Sequence, residues 1–252
     1  MRGPGSCGII RPHRIAKTGY PGGDAGQTGE QVNTTYNARG LPYSLAGSST
    51  YVSSAAYNAP GQVDLRTLGN GRQVDYVYYP WTTPNGRGRV QQIKTGTSGS
   101  PTDLQYLEYT YDAVGNVKTI KDNKVLGGMQ TQTFNYDALD RLLDATVTGG
   151  SAGQGQYSES YTYYPIGNIL TKTGQGTYSY GSKPHTMTST SGGGSFSYDG
   201  NGNMTSRTEG GVTYQQTFDA ENRLQSVAAN GQTTTFTYRC NGLSRGVQPR
   251  GG

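Results

Sequence analysis

Acidic side chains are the residues of this chain best suited to catalysis. Asp137, Asp140 and Asp144 lie close together in sequence. Hydrolysis of a polysaccharide needs two carboxyl groups about 5–10 Å apart across a cleft. These three residues therefore leave open an enzyme of the β-solenoid hydrolase or lyase class.

A second acidic segment, Asp199–Asn203, matches the first five positions of a calcium-binding loop. That loop needs a glycine at its sixth position and a glutamate at its twelfth. The chain has Met204 and Gly210 at these positions. We therefore expect no calcium site, no other metal and no cofactor.

Histidine and cysteine add little further chemistry. His13 and His185 are the only histidines, and neither has a partner at metal-binding spacing. Cys7 and Cys240 form no CxxC motif, which argues against a zinc or redox site. The segment Gly176–Lys183 resembles a phosphate-binding loop but lacks the required Gly-Lys pair.

The elements that position these residues follow an internal repeat, which is the first pattern to seek in a sequence. An aromatic residue recurs with gaps of 21, 21, 33, 25, 27, 17, 18, 20 and 20 residues. A spacing near 20 suits one β-hairpin per repeat and is too short for a two-helix repeat of about 34 residues. The ten repeat anchors are Tyr36, Tyr57, Tyr78, Tyr111, Tyr136, Tyr163, Tyr180, Tyr198, Phe218 and Tyr238.

Each anchor ends a predicted strand and precedes a turn. Aromatic residues alternate with Thr or Ser before the anchor, as in Tyr109-Thr110-Tyr111, which is typical of a half-buried strand. An Asp then starts the turn, a Gly adopts positive φ, and the following Asn is expected to tolerate positive φ as well. An aliphatic residue begins the return strand. The predicted turn residues are Asp112, Gly115, Asn116, Asp137, Gly167, Asn168, Asp199, Gly202, Asn203 and Asp219.

Composition alone would favour disorder. Leu, Ile, Val and Phe make up about 15% of the residues, below the roughly 20% that indicates a disordered chain. The net charge is only +5, however, and the 21 tyrosines follow the repeat. A tyrosine can bury a large apolar ring while its hydroxyl remains hydrogen-bonded. We therefore predict a folded chain with a thin core that depends on contacts between neighbouring repeats.

The basic residues give no nucleic-acid signature. Lysines and arginines are scattered singly, without a basic run of five to eight residues. The first residues lack the apolar core of a secretory signal, and no apolar stretch approaches the 18 residues of a membrane-spanning helix. We expect no nucleic-acid partner and no membrane span. If the intact protein is exported, its signal lies outside this chain.

Three regions are expected along the chain. Residues 1–31 form an irregular Gly/Pro/basic lead or a worn repeat, residues 32–238 contain the repeats, and residues 239–252 form an irregular tail, interpreted as truncated or frameshifted. Trp81–Val90 is an insertion in the long gap. Loops between repeats are predicted at Thr95–Ser100, Gly149–Gly155 and Ser191–Ser195.

The repeats resemble those of the YD-repeat, or rearrangement-hotspot (RHS), family. The matching segments are YDAVGNV, YDALDRL, YYPIGNI, YDGNGNM and FDAENRL, together with SKPHTMTS at Ser182–Ser189. The resemblance implies an all-β fold in which YD-repeat β-hairpins form a curved, spiralling antiparallel sheet, here part of a shell. It covers roughly residues 32–238.

The family includes bacterial toxins of intercellular competition, whose shells enclose a C-terminal toxin, and adhesive animal proteins. The resemblance therefore implies a non-catalytic scaffold, secreted or at the cell surface in the intact protein. Its partners would be the remainder of the shell and an enclosed toxin domain. The C-terminal core that carries the self-cleavage aspartates in the family has no match here. The alternative is a cell-surface adhesion or carbohydrate-binding repeat protein, in which exposed tyrosines stack on glycans.

Overall fold

The computed structural model describes residues 17–19, 29–153, 155–238 and 244–250, and every regular element in these residues is a β-strand. The predicted all-β fold of antiparallel hairpins is confirmed. The chain divides into two compact units. Unit 1 comprises Met1–Thr133 and Val147–Gln156, and unit 2 comprises Phe134–Thr146 and Tyr157–Gly252.

In unit 1 each strand pairs antiparallel with the next one along the chain. Short hairpins of this kind need no crossover connection. The strands are β1 (Lys17–Gly19), β2 (Gln31–Tyr36), β3 (Pro42–Ala46), β4 (Thr50–Tyr57), β5 (Val63–Leu68), β6 (Gln73–Tyr78), β7 (Val90–Thr97), β8 (Ser100–Tyr111), β9 (Val117–Asp122) and β10 (Gln130–Tyr136), of which β10 ends in unit 2.

Unit 2 follows the same rule of consecutive antiparallel pairing. Its strands are β11 (Leu142–Gly149), which ends in unit 1, β12 (Ser158–Tyr163), β13 (Ile169–Lys172), β14 (Gly176–Tyr180), β15 (Met187–Thr190), β16 (Ser195–Tyr198), β17 (Met204–Glu209), β18 (Val212–Phe218), β19 (Leu224–Ala229), β20 (Gln232–Tyr238) and β21 (Ser244–Arg250).

The predicted alternation is visible in the exposure of the strands. In β18, Tyr214 and Phe218 are half-buried while Gln215 and Thr217 between them are exposed. The core is thin. Among the described residues, the buried apolar side chains are Val32, Ala55, Ala145 and Val147, and no large side chain is fully buried. Stability therefore depends on many half-buried aromatic rings rather than on a deep core.

All ten anchors are the last residues of the even-numbered strands, β2 to β20. In eight of the hairpins the strand register shifts immediately before the anchor, as between Ser197 and Tyr198. The extra residue lies in the return strand, as Thr205 does between Met204 and Ser206, and such a bulge increases the local twist and re-aims nearby side chains. The anchor is thus placed where its ring can reach beyond its own hairpin.

The turns differ from the prediction in one respect. Gly115, Gly167 and Gly202 have φ of 105°, 95° and 92°, as expected. The asparagine after each glycine does not adopt positive φ; in the turn that begins at Asp199, the Asn203 side chain instead donates to the Asp199 carboxylate. The side-chain hydrogen bond, rather than backbone freedom, accounts for asparagine at this position.

Two predicted boundaries also differ. The expected loop Thr95–Ser100 is mostly strand, because β7 extends to Thr97 and β8 begins at Ser100. The expected irregular tail contains β21, which pairs with β20 through backbone hydrogen bonds that depend little on side-chain pattern. Of the expected lead, residues 1–16 and 20–28 lie outside the described residues, and β1 pairs with β2.

Glycine 202 should be far less tolerant of substitution than its neighbour Gly200. Neither position has an atom within 4 Å of an added methyl group, but only Gly202 has positive φ. Gly202→Ala should lower the free energy of unfolding by about 1–2 kcal/mol, whereas Gly200→Ala should have little effect. Urea unfolding of the two variants measures the difference. Equal stabilities would contradict the role given to φ.

Candidate functional site

The hydroxyls of the anchor tyrosines link neighbouring repeats. Six of them donate to the backbone carbonyl of the first residue of the return strand in the preceding repeat, and we call each such contact an anchor hydrogen bond. Five of the six are 2.7–2.9 Å long. The pairs are Tyr57 to Pro42, Tyr78 to Val63, Tyr111 to Val90, Tyr163 to Leu142, Tyr180 to Ile169 and Tyr238 to Leu224.

The accepting carbonyls lie where the backbone pairing with the following strand has ended. In β11, Asp144 is the residue nearest the turn that pairs with β12, and Leu142 lies two residues closer to the turn. In β19, Ser226 is the residue nearest the turn that pairs with β20, and Leu224 lies two residues closer to the turn. A carbonyl without a backbone partner needs another donor. The anchor hydroxyl supplies that donor and extends the contact between the two strands by one hydrogen bond.

Arginines that end the turns stack on the anchor rings of the next repeat. The Arg141 guanidinium lies 4.5 Å from the Tyr163 ring centroid, and that of Arg223 lies 4.8 Å from the Tyr238 ring. Each arginine also bonds the aspartate of its own turn; for Arg141 Nε to Asp137 Oδ2 the distance is 2.7 Å. One side chain therefore couples a turn to the neighbouring repeat.

The predicted turn aspartates act as caps for backbone amides. Asp112 Oδ1 accepts from the amides of Val114, Gly115 and Asn116 at 2.7–3.1 Å. Asp199 Oδ1 does the same within its own turn. Asp bonds its own following backbone readily, which favours it at turns. These contacts explain the YD pair of the repeat as an anchor followed by a cap.

Hydrogen bonding also lowers the pKa of these aspartates. The Asn203 amide, assisted by backbone amides, holds the pKa of Asp199 below its ordinary value of 3.8. For Asp137 the Arg141 side chain is the main cause, and for Asp219 it is the Arg223 amide. The carboxylates are therefore held in the ionised form that caps the turn.

Burial shifts the anchor hydroxyls in the opposite direction. Desolvation raises the pKa of Tyr78, Tyr111, Tyr163 and Tyr180, so the protonated form that can donate is favoured. All ten anchors are half-buried. Their rings are consequently poor candidates for the exposed sugar-stacking row that the adhesion alternative requires.

Side chains of one turn also reach the backbone of the next. Arg39 donates to the carbonyls of Asn58 and Ala59, both at 2.8 Å, and Gln62 donates to the Gly88 carbonyl at 2.7 Å. In unit 2, Asn168 donates to the Pro184 carbonyl and Lys183 to the Gly200 carbonyl, and the Asn203 and Asn222 side chains bond each other. Neighbouring turns therefore form a second set of contacts between repeats.

The residues considered for catalysis are engaged elsewhere. Asp137 caps its turn, and Asp144 Oδ1 accepts from the Asn135 amide at 2.7 Å. His185 Nδ1 lies 2.6 Å from Asn168 Oδ1. Within the described residues no cluster of three potential metal ligands occurs, and no helix is long and apolar enough to cross a membrane. His13, Cys7 and Cys240 lie outside the described residues.

Sequence reasoning located the anchors but missed what their hydroxyls do. The presence of tyrosine at nine of ten anchors, where phenylalanine would pack equally well, was the available signal. The arginine that precedes the return strand in YDALDRL and FDAENRL was a second signal. Both contacts join repeats about 20 residues apart, so one repeat considered alone does not reveal them.

No protein-family model and no curated protein matches this chain. Solved structures do. A crystal structure of TcdB2-TccC3 without its hypervariable C-terminal region matches with a TM-score of 0.56 and 20% identity, and one of TcdB2-TccC3-Cdc42 with 0.54 and 18%. The chain has an RHS-like fold. A Photorhabdus luminescens Tc holotoxin pore matches at 0.50 and 18% identity. Each match covers 83% of this chain and 13% of the other.

Loss of one anchor hydroxyl should weaken the fold measurably. Tyr163→Phe keeps the ring but leaves the Leu142 carbonyl without its donor, which should cost about 0.5–1.5 kcal/mol of unfolding free energy. Tyr198→Phe is the matched control, because the Tyr198 hydroxyl makes no hydrogen bond to the described residues. Chemical denaturation of both variants provides the comparison. A larger loss for Tyr198→Phe would refute the proposed role of the hydroxyl.

Acid should destabilise the chain through its turn aspartates. A pKa below 3.8 in the folded state means that the unfolded state binds more protons, so stability falls as pH decreases below about 4. In Asp199→Asn the side-chain oxygen should still accept from the turn amides, as Asn58 Oδ1 accepts from the Gln62 amide. The stability of this variant should therefore fall less as the pH is lowered. Asp64→Asn, at an exposed side chain that forms no ion pair with the described residues, is the control. Thermal unfolding at several pH values tests this, and an unchanged profile for Asp199→Asn would contradict it.

Proposed function

We propose that this chain is part of the wall of an RHS-type shell that encloses a C-terminal toxin and delivers it in intercellular competition. It acts as a non-catalytic scaffold. The observation that supports this most directly is the set of six anchor hydrogen bonds, each of which joins one repeat to the preceding one. Contacts repeated in this way allow a sheet to be extended by adding further hairpins.

The half-buried anchors favour a wall over an adhesive surface. In a wall, the aromatic rings pack against neighbouring repeats and their hydroxyls bond the backbone, as the Tyr163 hydroxyl bonds the Leu142 carbonyl. A glycan-binding repeat would instead present its rings to solvent. The exposed tyrosines among the described residues are Tyr43, Tyr51 and Tyr157, none of which is an anchor.

The proposal defines partners and a location. The intact protein would include the remaining shell, built from further repeats, and the enclosed toxin domain as its cargo. It would be secreted or held at the cell surface. The solved structures that match are of toxin complexes and are much longer than this chain, which accords with a role for the chain as one stretch of wall.

The test is protection of the cargo. The complete gene that contains this sequence would be expressed, and its product would be imaged by electron microscopy and treated with trypsin. We expect hollow particles in which the C-terminal segment is digested much more slowly than the same segment produced alone. The triple variant Tyr111→Phe, Tyr163→Phe and Tyr180→Phe should lose this protection at lower urea concentrations. Solid particles, or equal digestion of free and attached segments, would overturn the proposal.

A further inference from the structure

The loop between β6 and β7, residues 79–89, departs from the repeat sequence but shares in the contacts between repeats: Gln62 bonds its Gly88 carbonyl, and its Arg89 lies 5.6 Å from the Tyr111 ring centroid. We call it the insertion loop. It contains the only tryptophan of the chain, Trp81, whose side chain is 65% exposed. Thr82, Asn85 and Arg87 are exposed beside it in sequence. An exposed tryptophan in an inserted loop is a common feature of binding sites.

The insertion loop is held in one conformation by its own backbone and by glycine packing. Tyr79 exchanges backbone hydrogen bonds with Gly88 and Arg89 at 3.1 and 2.9 Å. Gly86 and Gly88 are buried, and a methyl group at Gly88 would lie 2.5 Å from Trp81 Cζ2. Gly88 therefore permits the close approach of the indole ring. A site that is already ordered loses little entropy on binding.

Neighbouring repeats hold the insertion loop from both sides. Gln62 Nε2 donates to the Gly88 carbonyl at 2.7 Å, and the Tyr79 hydroxyl donates to the Tyr109 carbonyl at 2.9 Å. The Tyr79 ring also meets the Tyr111 ring edge-on at 6.2 Å. The tryptophan is thus presented on a fixed support.

Arg87 supplies a free cation in the same loop as this tryptophan. Its guanidinium makes no hydrogen bond or ion pair with the described residues, and it adjoins Gly88, which touches the indole. Its φ of 40° is unfavourable for a residue with a side chain. Strained conformations of this kind are concentrated at functional sites. No acidic residue occurs in the sequence between Asp75 and Asp103.

The chemistry of the insertion loop identifies its ligand. An exposed indole stacks on the apolar face of a sugar ring, and threonine and asparagine side chains can bond its hydroxyls. An unpaired guanidinium prefers a carboxylate. The only aliphatic residues in the loop are Pro80 and Pro84, so it lacks the apolar surroundings of a protein-binding hot spot. Independently of the shell function, we propose that the insertion loop binds a carboxylate-bearing oligosaccharide.

The single tryptophan allows binding to be measured directly. Oligogalacturonate would be titrated into the full chain while tryptophan fluorescence is recorded. We expect a saturable change that the fully methyl-esterified oligomer, which lacks the charge, reproduces only at concentrations at least about tenfold higher. Polyglutamate and oligo(dT) test whether any anion suffices. No saturable change with oligogalacturonate, or an equal affinity for either of these anions, would overturn the proposal.

Variants separate binding from folding. Arg87→Gly removes the guanidinium and relieves the positive φ, so it should be at least as stable as the original chain yet bind at least about tenfold more weakly. Trp81→Ala should abolish binding in calorimetry, and Lys124→Ala, at an exposed lysine elsewhere, should not change it. A stable Arg87→Gly variant with full affinity would refute the role of the guanidinium, and full affinity of Trp81→Ala would refute the site.

Discussion

The hydrogen bond from an anchor tyrosine to the carbonyl of the preceding repeat is the contact on which this fold most depends. Backbone pairing between repeats stops before the turn, as it does at Asp144 in β11. Without another donor, the next carbonyls would face a half-buried aromatic layer. The tyrosine hydroxyl satisfies such a carbonyl while its ring covers the same region, so one residue meets a polar and an apolar requirement together.

This solution suits a sheet that has little core. With only a few small side chains buried among the described residues, the free energy gained from deep burial is limited. Half-buried rings, stacked arginines such as Arg141 over Tyr163, and capped turns replace it. Each contribution is modest, but half-buried rings recur at all ten anchors, and arginines stack on the anchors Tyr111, Tyr163 and Tyr238. Stability is therefore distributed along the chain, as in other repeat proteins whose units depend on their neighbours.

The turns combine local and long-range requirements. Asp199 shows the local one, because its carboxylate caps backbone amides within five residues. Gln62 shows the long-range one, because its amide reaches the turn of the next repeat. The insertion loop keeps the long-range kind of contact, since Gln62 reaches its Gly88 carbonyl, although it departs from the repeat sequence. A scaffold with such turns can accept an insertion at one repeat without disturbing the strands beside it.

Much of this architecture follows from the sequence alone. Aromatic-Thr alternation, Asp after the anchor and Gly at the fourth turn position are local signals, and the strands end at the predicted anchors from Tyr36 to Tyr238. The expected positive φ of Asn203 failed because sequence pattern does not distinguish backbone freedom from a side-chain hydrogen bond to Asp199. Strand β21 was missed because backbone pairing can form without a recognisable side-chain pattern.

The sequence by itself determined the β-hairpin repeat, its period and its turn chemistry, since the period is the recurrence of one residue type along the chain and the turn chemistry arises within about ten residues. Only the tertiary structure decided which groups meet across repeats. The Tyr163 hydroxyl bonds a carbonyl 21 residues away in sequence, and the Arg223 guanidinium stacks on the Tyr238 ring, 15 residues away. The close fit of Trp81 against Gly88 likewise depends on the folded loop. Such contacts depend on strand register and bulge position, which fix where a side chain points once neighbouring strands have paired.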